Sequence, residues 1–203
     1  MDSPDPVACL GACATIDHRH PAVRALAARL LHTDALATAR TAFLWVRDNV
    51  RHSLDFQCTE MPWRASDVLA AGSGLCFAKA HLLVALLRAN GLPAALGYQR
   101  LLRSDPPPGS PTHGLHGFAA VWLDGHGWYR CDPRGNTKPG IRCEFEFPEE
   151  SLAYTPSGDG ELTFPGLWVE PLPAVLAAIR ASHDWQSYRA RPADYWPSGD
   201  GLS

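Results

Sequence analysis

The apolar positions in the first half of the chain recur with the spacing of amphipathic helices. They predict a helix from Pro21 to Leu31, with proline in its first turn, and a second helix from about Asp34 to Asn49. A third helix is predicted to start at Cys76, after a glycine-rich loop, and to end at Asn90-Gly91. Its dense apolar run indicates that this helix is buried: Leu75, Leu82, Leu83, Leu86 and Leu87.

After this helix the pattern changes to short stretches that are typical of strands separated by turns. Ala94–Leu102 predicts a strand, residues 103–112 a proline-rich loop, and His116–Leu123 a second strand. The turn Asp124–Gly127 joins that strand to a third one at Trp128–Cys131, so the two form an antiparallel hairpin. Because helices come first and hairpin strands follow, the sequence predicts an α+β fold with the helices packed on an antiparallel sheet.

Shorter segments complete the predicted organisation of the chain. We expect one domain over residues 1–203, with a core at about 34–135 and a C-terminal extension at 136–203. The smaller elements are an extended segment at 51–56, a helical turn at 66–69, a strand at 142–147, a loop at 149–166, a last helix from Pro173 to about Ser187 and a mobile tail from Arg191.

The composition argues against two classes of partner. The 203 residues are 46% hydrophobic and carry a formal net charge of −3, which offers no electrostatic basis for binding nucleic acid or an anionic membrane. No apolar run approaches the ~20 residues that span a bilayer, and the N-terminus lacks the basic start of a signal peptide. We therefore expect a cytoplasmic protein that binds neither nucleic acid nor membrane.

Six cysteines occur in the chain, and a cytoplasmic location argues against a disulfide framework. Cys9-x3-Cys13, with His18 and His20 nearby, resembles half of a zinc site, but no second pair lies at a suitable spacing. The alternative is two reduced thiols on an N-terminal segment. We expect no metal and no cofactor.

Cys76 occupies a position that suits a nucleophile. It falls in the first turn of the predicted buried helix, where unpaired N–H groups and the positive end of the helix dipole favour a thiolate. Such a position can lower a thiol pKa from about 8.5 toward ~3.5–7.5, and the thiolate is the form that attacks a carbonyl carbon. The alternative is a small, inert residue buried in the core.

His116 opens one strand of the predicted hairpin and Asp132 follows the other, so antiparallel pairing brings them side by side. The aspartate can then fix the tautomer and ring plane of the imidazole, whose other nitrogen can reach Cys76 if the sheet packs on its helix. The result is a nucleophile, a base and a residue that orients the base. Taken singly, His116 suits a structural role and Asp132-Pro133 suits a turn.

Two other histidines compete for the role of base. His113 lies three residues before His116, but we place it in the proline-rich loop rather than on the strand. His81 lies five residues after Cys76, which is about 500° of helical rotation, so its side chain faces elsewhere and is read as structural.

A series of short motifs resembles the core of the transglutaminase-like superfamily, in the order and spacing that the family shows, over residues 34–135. They are Trp45-Val-Arg-Asp-Asn-Val50, Gly72-Ser-Gly-Leu-Cys76, Leu86-Leu-Arg-Ala-Asn-Gly-Leu-Pro93, His116-Gly-Phe-Ala-Ala-Val-Trp-Leu123, Gly127-Trp128 and Asp132-Pro133. The resemblance, which suits bacterial cysteine enzymes of this kind, implies a papain-like α+β fold. It also implies Cys76 as nucleophile, His116 as base and acid, and Asp132 as the residue that orients it.

The family includes protein crosslinkers, deamidases, peptidases and amide-forming enzymes, and some members are inactive. Three departures argue against animal-type crosslinking here. The flanking residues are too few for extra β-domains, no acidic loop suggests a calcium site, and Gly117-Phe118 replaces the more usual Ala-Trp.

Four further residues are candidates for binding. An oxyanion site needs a backbone N–H and commonly a side-chain donor, for which Gln57 is the first candidate and the indole N–H of Trp63 the second; Gln57 could equally be a surface residue. Arg100 and Arg103 flank the start of the proline-rich loop and could bind a carboxylate-bearing substrate. The alternative is an exposed connector with solvated arginines.

These residues together predict acyl transfer or amide hydrolysis through a thioester on Cys76. The partner is a peptide, a protein or a small-molecule amide or acyl donor, and the acceptor is water or an amine. The alternative is a non-catalytic member of the same fold that binds peptides in the same cleft. The intact Cys76, His116 and Asp132 set argues against that alternative. The oligomeric state is left open.

Overall fold

The computed structural model describes residues 3–196. Its helices are a 3-10 helix at Pro6–Leu10, α1 at Pro21–Arg29, α2 at Ala35–Asn49, α3 at Ala65–Ala71, α4 at Cys76–Ala89, α5 at Pro173–Arg180 and α6 at Trp185–Ala190. Its strands are β1 at Arg51–His52, β2 at Ser73–Gly74, β3 at Ala94–Leu102, β4 at His113–Leu123, β5 at Gly127–Cys131, β6 at Phe145–Glu146, β7 at Glu149–Glu150 and β8 at Leu162–Thr163.

Helix α4 is the centre of the core. Every residue from Cys76 to Arg88 is buried, as the dense apolar run predicts. Its buried cations are hydrogen-bonded: the Lys79 ammonium donates to the carbonyl oxygens of Val50 at 2.5 Å and Arg47 at 3.1 Å. These carbonyls belong to the end of α2, where backbone acceptors lack helical partners, so Lys79 joins the two helices. Among residues 3–196, no helix is long and apolar enough to span a membrane.

The main sheet has the strand order β5-β4-β3-β8 and is antiparallel throughout. Its β3–β4 pairing runs without interruption from Ala94 opposite Val121 to Leu102 opposite His113. Helix α4 packs on the sheet very closely at Gly117, where an added Cβ would lie 2.6 Å from the Phe77 ring and 3.2 Å from the Phe77 Cα. Glycine at this position therefore lets the first turn of α4 approach the strand that carries His116.

Two sequence predictions for this half of the chain need correction. His113 does not lie in the proline-rich loop but begins β4, because its backbone pairs with Leu102. The extended segment predicted at residues 51–56 is a strand only at Arg51–His52, since the chain then turns back and the amide of Phe56 bonds to the His52 carbonyl. The short strand β1 pairs in parallel with β2, directly before α4.

The C-terminal part differs more from the predictions. The single helix expected at 173–187 is two helices, because Asp184 caps α6 by accepting a hydrogen bond from the Ser187 amide at 2.7 Å. The predicted loop at 149–166 contains β7 and β8, and the strand predicted at 142–147 shrinks to Phe145–Glu146. The tail predicted to be mobile is anchored in its first part, where the Ala193 carbonyl accepts a hydrogen bond from the Leu115 amide. Residues 197–203 of that tail lie outside the described residues.

Candidate active site

Cys76 is the first residue of α4, and its side chain is nearly enclosed, with 8% of the residue exposed. Leu75 precedes it as the N-cap residue and supplies no side-chain cap. The N–H groups of the first turn are therefore free to face the sulfur or a group bound to it, and the helix dipole favours negative charge there. The predicted position of Cys76 at a helix N-terminus is what the fold shows.

His116 and Asp132 form a short, buried hydrogen bond, in which the imidazole Nε2 donates to the carboxylate Oδ2 at 2.7 Å. Asp132 is fully buried and also accepts from the backbone amides of Arg134 at 3.0 Å and Ala153 at 2.9 Å. Because Nε2 is bonded to the carboxylate, Nδ1 is the nitrogen left for Cys76, with which the imidazole makes a hydrogen-bonding contact. The hairpin thus brings the three predicted residues together.

The electrostatics favour a charged cysteine–histidine pair. Burial raises the pKa of the Cys76 thiol, but the neighbouring imidazoles of His116 and His52 outweigh burial and lower that pKa to about 6. Burial lowers the pKa of His116, but the Asp132 carboxylate and the Cys76 sulfur outweigh it and raise that pKa to about 10. The two shifts agree in direction, so near neutral pH the resting form is a thiolate beside an imidazolium.

Asp132 stays ionised in this pair. Burial raises the pKa of its carboxyl group, yet the charge and hydrogen bond of His116, with the two amides, hold the pKa below its ordinary value. A buried carboxylate is tolerated only when its oxygens are hydrogen-bonded, which is the case here.

Two residues that the sequence did not single out support the imidazole. The Tyr154 ring meets the His116 ring edge-on, with their centroids 4.9 Å apart. Arg134, only 1% exposed, donates from Nε to the Tyr154 hydroxyl at 3.0 Å. Arg134 follows Asp132 by two residues, which is the only hint of its role in the sequence. Tyr154 lies in a segment without a helical or strand pattern.

A second histidine–aspartate pair lies beside Cys76. His52 makes a hydrogen-bonding contact with the sulfur, and its Nδ1 lies 3.5 Å from Oδ1 of Asp55. Asp55 is itself paired with Arg134 at 2.9 Å. The sequence showed no sign of this pair, because β1 is only two residues long.

The two candidates for the side-chain oxyanion donor lie on the segment between β1 and α3. Gln57 is exposed and has a positive φ of 51°, at the end of the turn that follows β1. The Trp63 ring lies between two guanidinium groups, with Arg180 4.1 Å and Arg64 4.8 Å from its centroid. Both remain predictions for the oxyanion role.

Arg100 and Arg103, the candidates for binding substrate, both have internal partners. Arg100 forms a two-pronged pair with Asp194 at 2.8 and 2.9 Å. Arg103 donates to the carbonyl oxygens of Pro111 at 2.6 Å and Arg189 at 2.5 Å. These bonds fasten the proline-rich loop and the C-terminal segment, so binding a substrate carboxylate would require the guanidinium groups to leave them. The substrate role stays a prediction.

The competing histidines are held away from the triad. His113 donates from Nε2 to the Asp159 carbonyl at 2.9 Å. On a strand, its odd spacing from His116 also places the two side chains on opposite faces. His81 donates to the Trp63 carbonyl at 2.9 Å, and burial lowers its pKa to about 4, so it is a neutral, structural residue as predicted.

The remaining thiols have different environments. All six cysteines are free. Burial raises the pKa of Cys9 and Cys131, and raises that of Cys143 to about 12. Cys9 is buried in the 3-10 helix, and the Cys13 sulfur accepts a hydrogen bond from the Ile16 amide at 3.3 Å. Within the described part of the chain, no group of three or more His, Cys, Asp or Glu side chains could hold a metal ion.

Comparison with known proteins agrees with this geometry. The sequence model described as the transglutaminase-like superfamily matches residues 24–133, more than half of the chain. The chain belongs to the transglutaminase-like superfamily. The predicted α+β, transglutaminase-like fold is thereby confirmed. No curated protein matches the chain in a sequence search.

Solved structures of similar fold come from two bacteria. One is a "putative cysteine protease" from Cytophaga hutchinsonii, with 20% identity and a TM-score of 0.51 over 66% of this chain and 43% of that one. Another is the periplasmic domain of TgpA from Pseudomonas aeruginosa, with 21% identity and a TM-score of 0.46 over 64% of this chain and 48% of that one. The same domain bound to ethylmercury gives 22% identity, a TM-score of 0.46 and coverages of 64% and 49%. This superfamily member thus spans less than half of the length of each structure.

Proposed function

We propose that this protein is a cysteine-dependent enzyme that hydrolyses or transfers an acyl group through a thioester on Cys76. The observation that supports it most directly is the contact of a helix-terminal thiol, with a pKa lowered to about 6, with an imidazole held at 2.7 Å by a buried carboxylate. A low-pKa thiolate beside an imidazolium is both a nucleophile and a proton source, which are the two groups that amide cleavage requires.

The first half-reaction forms the thioester. The thiolate of Cys76 attacks the carbonyl carbon, and the π electrons of the carbonyl move to its oxygen. The backbone N–H of Cys76 at the start of α4 can donate to this oxyanion. As the carbonyl re-forms, the C–N bond breaks and the Nδ1 proton of His116 passes to the leaving amine. The imidazole is then neutral and the acyl group is bonded to sulfur.

The second half-reaction returns the enzyme to its resting state. Neutral His116 takes a proton from water or from an amine acceptor, which attacks the thioester carbon. The C–S bond breaks, and its electron pair leaves with the sulfur as thiolate beside the renewed imidazolium. Asp132 keeps the imidazole plane and tautomer fixed through both steps. Exclusion of water from the acyl-enzyme decides between hydrolysis and transfer.

The substrate class follows from this chemistry. We expect an acyl donor with an amide or similarly activated carbonyl, on a peptide, a protein or a small molecule. The mechanism requires no metal and no cofactor. A cytoplasmic location stays a prediction.

The decisive experiment is intact mass spectrometry after incubation with libraries of acyl donors, including glutamine-containing peptides and activated esters. We expect an added mass equal to the acyl group on the wild type and no added mass on Cys76→Ala. Cys131→Ser is a suitable matched control for a buried thiol that the mechanism does not use, because burial raises its pKa. An adduct of equal yield on Cys76→Ala would reject the mechanism. Absence of any adduct from the whole library would favour the non-catalytic, peptide-binding alternative.

A further inference from the structure

The short parallel pair β1–β2 places a second histidine next to the nucleophile. His52 pairs with Gly74, two residues before Cys76, and the Ser53 amide donates to the Gly74 carbonyl at 3.0 Å. His52 is 4% exposed and makes a hydrogen-bonding contact with the Cys76 sulfur. A buried imidazole in contact with a thiolate is a costly arrangement unless its ring nitrogens are used.

An aspartate lies behind this imidazole, as one does behind His116. The Nδ1 atom of His52 lies 3.5 Å from Oδ1 of Asp55, which is an ion-pair distance without hydrogen-bond geometry. Asp55 is oriented by Arg134 at 2.9 Å, by a short hydrogen bond from the Thr137 hydroxyl and by Lys138 at 3.4 Å. With Nδ1 turned toward Asp55, Nε2 is the nitrogen left for the sulfur.

Arg134 connects the two histidine–aspartate pairs. Its backbone amide donates to Asp132, its Nη2 pairs with Asp55, and its Nε donates to Tyr154, whose ring packs on His116. A side chain that is almost fully buried thus fixes the partners of both imidazoles at once. The second pair is part of the same network and not a separate surface feature.

We propose that His52 is a further catalytic residue, which donates a hydrogen bond to the Cys76 sulfur as its second imidazole partner, with Asp55 as its positioning residue. This proposal rests on the proposed function, because it assigns His52 a role in keeping the nucleophile ionised. It replaces no part of the Cys76, His116 and Asp132 set.

The environments of the two imidazoles give them different roles. Asp132 is committed to His116 by a direct hydrogen bond of 2.7 Å. Asp55 divides its charge among Arg134, Thr137 and Lys138, and meets His52 only at 3.5 Å. His116 therefore carries the proton between the sulfur and the leaving group, whereas His52 is the fixed donor. Other titratable groups that act on the charge of the sulfur are Tyr98, Tyr154, Tyr188 and Arg134.

The test compares His52→Gln, which keeps an N–H donor, with His52→Phe, which fills the space without one. The probe is methyl methanethiosulfonate, and the readout is the rate of Cys76 modification against pH by mass spectrometry. We expect His52→Phe to slow modification at pH 5.5 about tenfold, as the loss of one charge-assisted hydrogen bond would, and His52→Gln to stay within about threefold of wild type. Asp55→Asn should shift the profile in the same direction by less. His126→Gln, on the exposed turn between β4 and β5, is the matched control.

A profile for His52→Phe that coincides with wild type, or equal losses in the Gln and Phe variants, would overturn the proposal. Failure of the proposed function is separate: wild-type Cys76 would then react at pH 5.5 no faster than the other five thiols. Should the variants not fold, the wild type labelled with ¹⁵N-histidine gives a second measurement. Modifying Cys76 should shift the ring nitrogens of two of the nine histidines, and a shift of only one would reject His52.

Discussion

Replacing His116 with alanine is the sharpest test of the charged pair. His116 is the larger of the two imidazole contributions that lower the pKa of Cys76 to about 6, from an ordinary value of 9.0. The substitution removes that imidazolium and leaves the burial of the sulfur, which acts in the opposite direction. We therefore expect the thiol pKa to return toward 9.

The size of the effect follows from the ionised fraction of the thiol. At pH 5.5 that fraction is about 0.24 for a pKa of 6 and about 0.0003 for a pKa of 9, a ratio of roughly 800. A more basic thiolate is intrinsically more reactive, and a Brønsted coefficient of ~0.4–0.5 over three pKa units returns a factor of about 16–32. The net loss at pH 5.5 is thus about 30-fold, and retention of His52 makes this the upper figure. At pH 9 the same arithmetic makes the variant about tenfold faster than wild type.

The assay is the modification rate of Cys76 by methyl methanethiosulfonate from pH 5 to pH 9, followed by mass spectrometry. The two profiles should cross between pH 7 and pH 8. His113→Ala is the matched control, since His113 is bonded to the Asp159 carbonyl and should leave the profile unchanged. Turnover of an acyl donor should fall by ~10²–10⁴-fold in His116→Ala, as expected for loss of a general base. A profile for His116→Ala without a crossing, or an equal effect of His113→Ala, would show that the base is misassigned.

Three further changes test other parts of the structure. Asp132→Asn should lower turnover by at least tenfold and slow Cys76 modification at pH 6, because asparagine can offer an N–H where the aspartate only accepts; wild-type values for both would leave Asp132 as a turn residue. Gly117→Ala should cost about 1–3 kcal/mol of stability and slow Cys76 modification, because its Cβ would clash with Phe77, whereas Gly114→Ala meets its nearest atoms at 3.5 Å; equal melting temperatures of the two variants would contradict this packing. His81 is buried with a pKa of about 4, below the ordinary 6.5, so the unfolded chain binds more protons between those values and stability falls as pH drops from 6.5 to 4, by up to about 3 kcal/mol. His81→Gln should remove that part of the acid sensitivity, measured by urea unfolding at several pH values, and an unchanged pH dependence would show that other groups cause it.

The parts of the fold that the sequence predicted are those with local causes. Helix α2 follows Asp34, whose carboxylate accepts hydrogen bonds from the amides of Leu36 at 3.2 Å and Ala37 at 2.9 Å. A capping residue before an apolar period is visible in the sequence. The hairpin that joins His116 to Asp132 has a four-residue turn and was predictable for the same reason, so the triad could be assembled from residues that are close along the chain.

The parts that the sequence did not predict depend on contacts between distant residues. Strand β8 is two residues long and exists because Thr163 pairs with Gln99, 64 residues earlier. The Gln99 amide also donates to the Tyr154 carbonyl at 3.0 Å, which helps to place the ring against His116. Two-residue strands carry too few side chains to show a period, and burial of a glutamine follows only from what surrounds it.

The region after the family match completes the candidate site. Residues 24–133 contain Cys76, His116 and Asp132, yet both amides that bond to the Asp132 carboxylate come from Arg134 and Ala153. A carboxylate with no exposed surface is costly without such donors, and a protonated Asp132 could not hold His116 as an imidazolium. The charge on Cys76 therefore depends on a segment that the family match does not include. That segment also supplies Tyr154, so differences between relatives there can alter the reactivity of the thiol while the three catalytic residues stay the same.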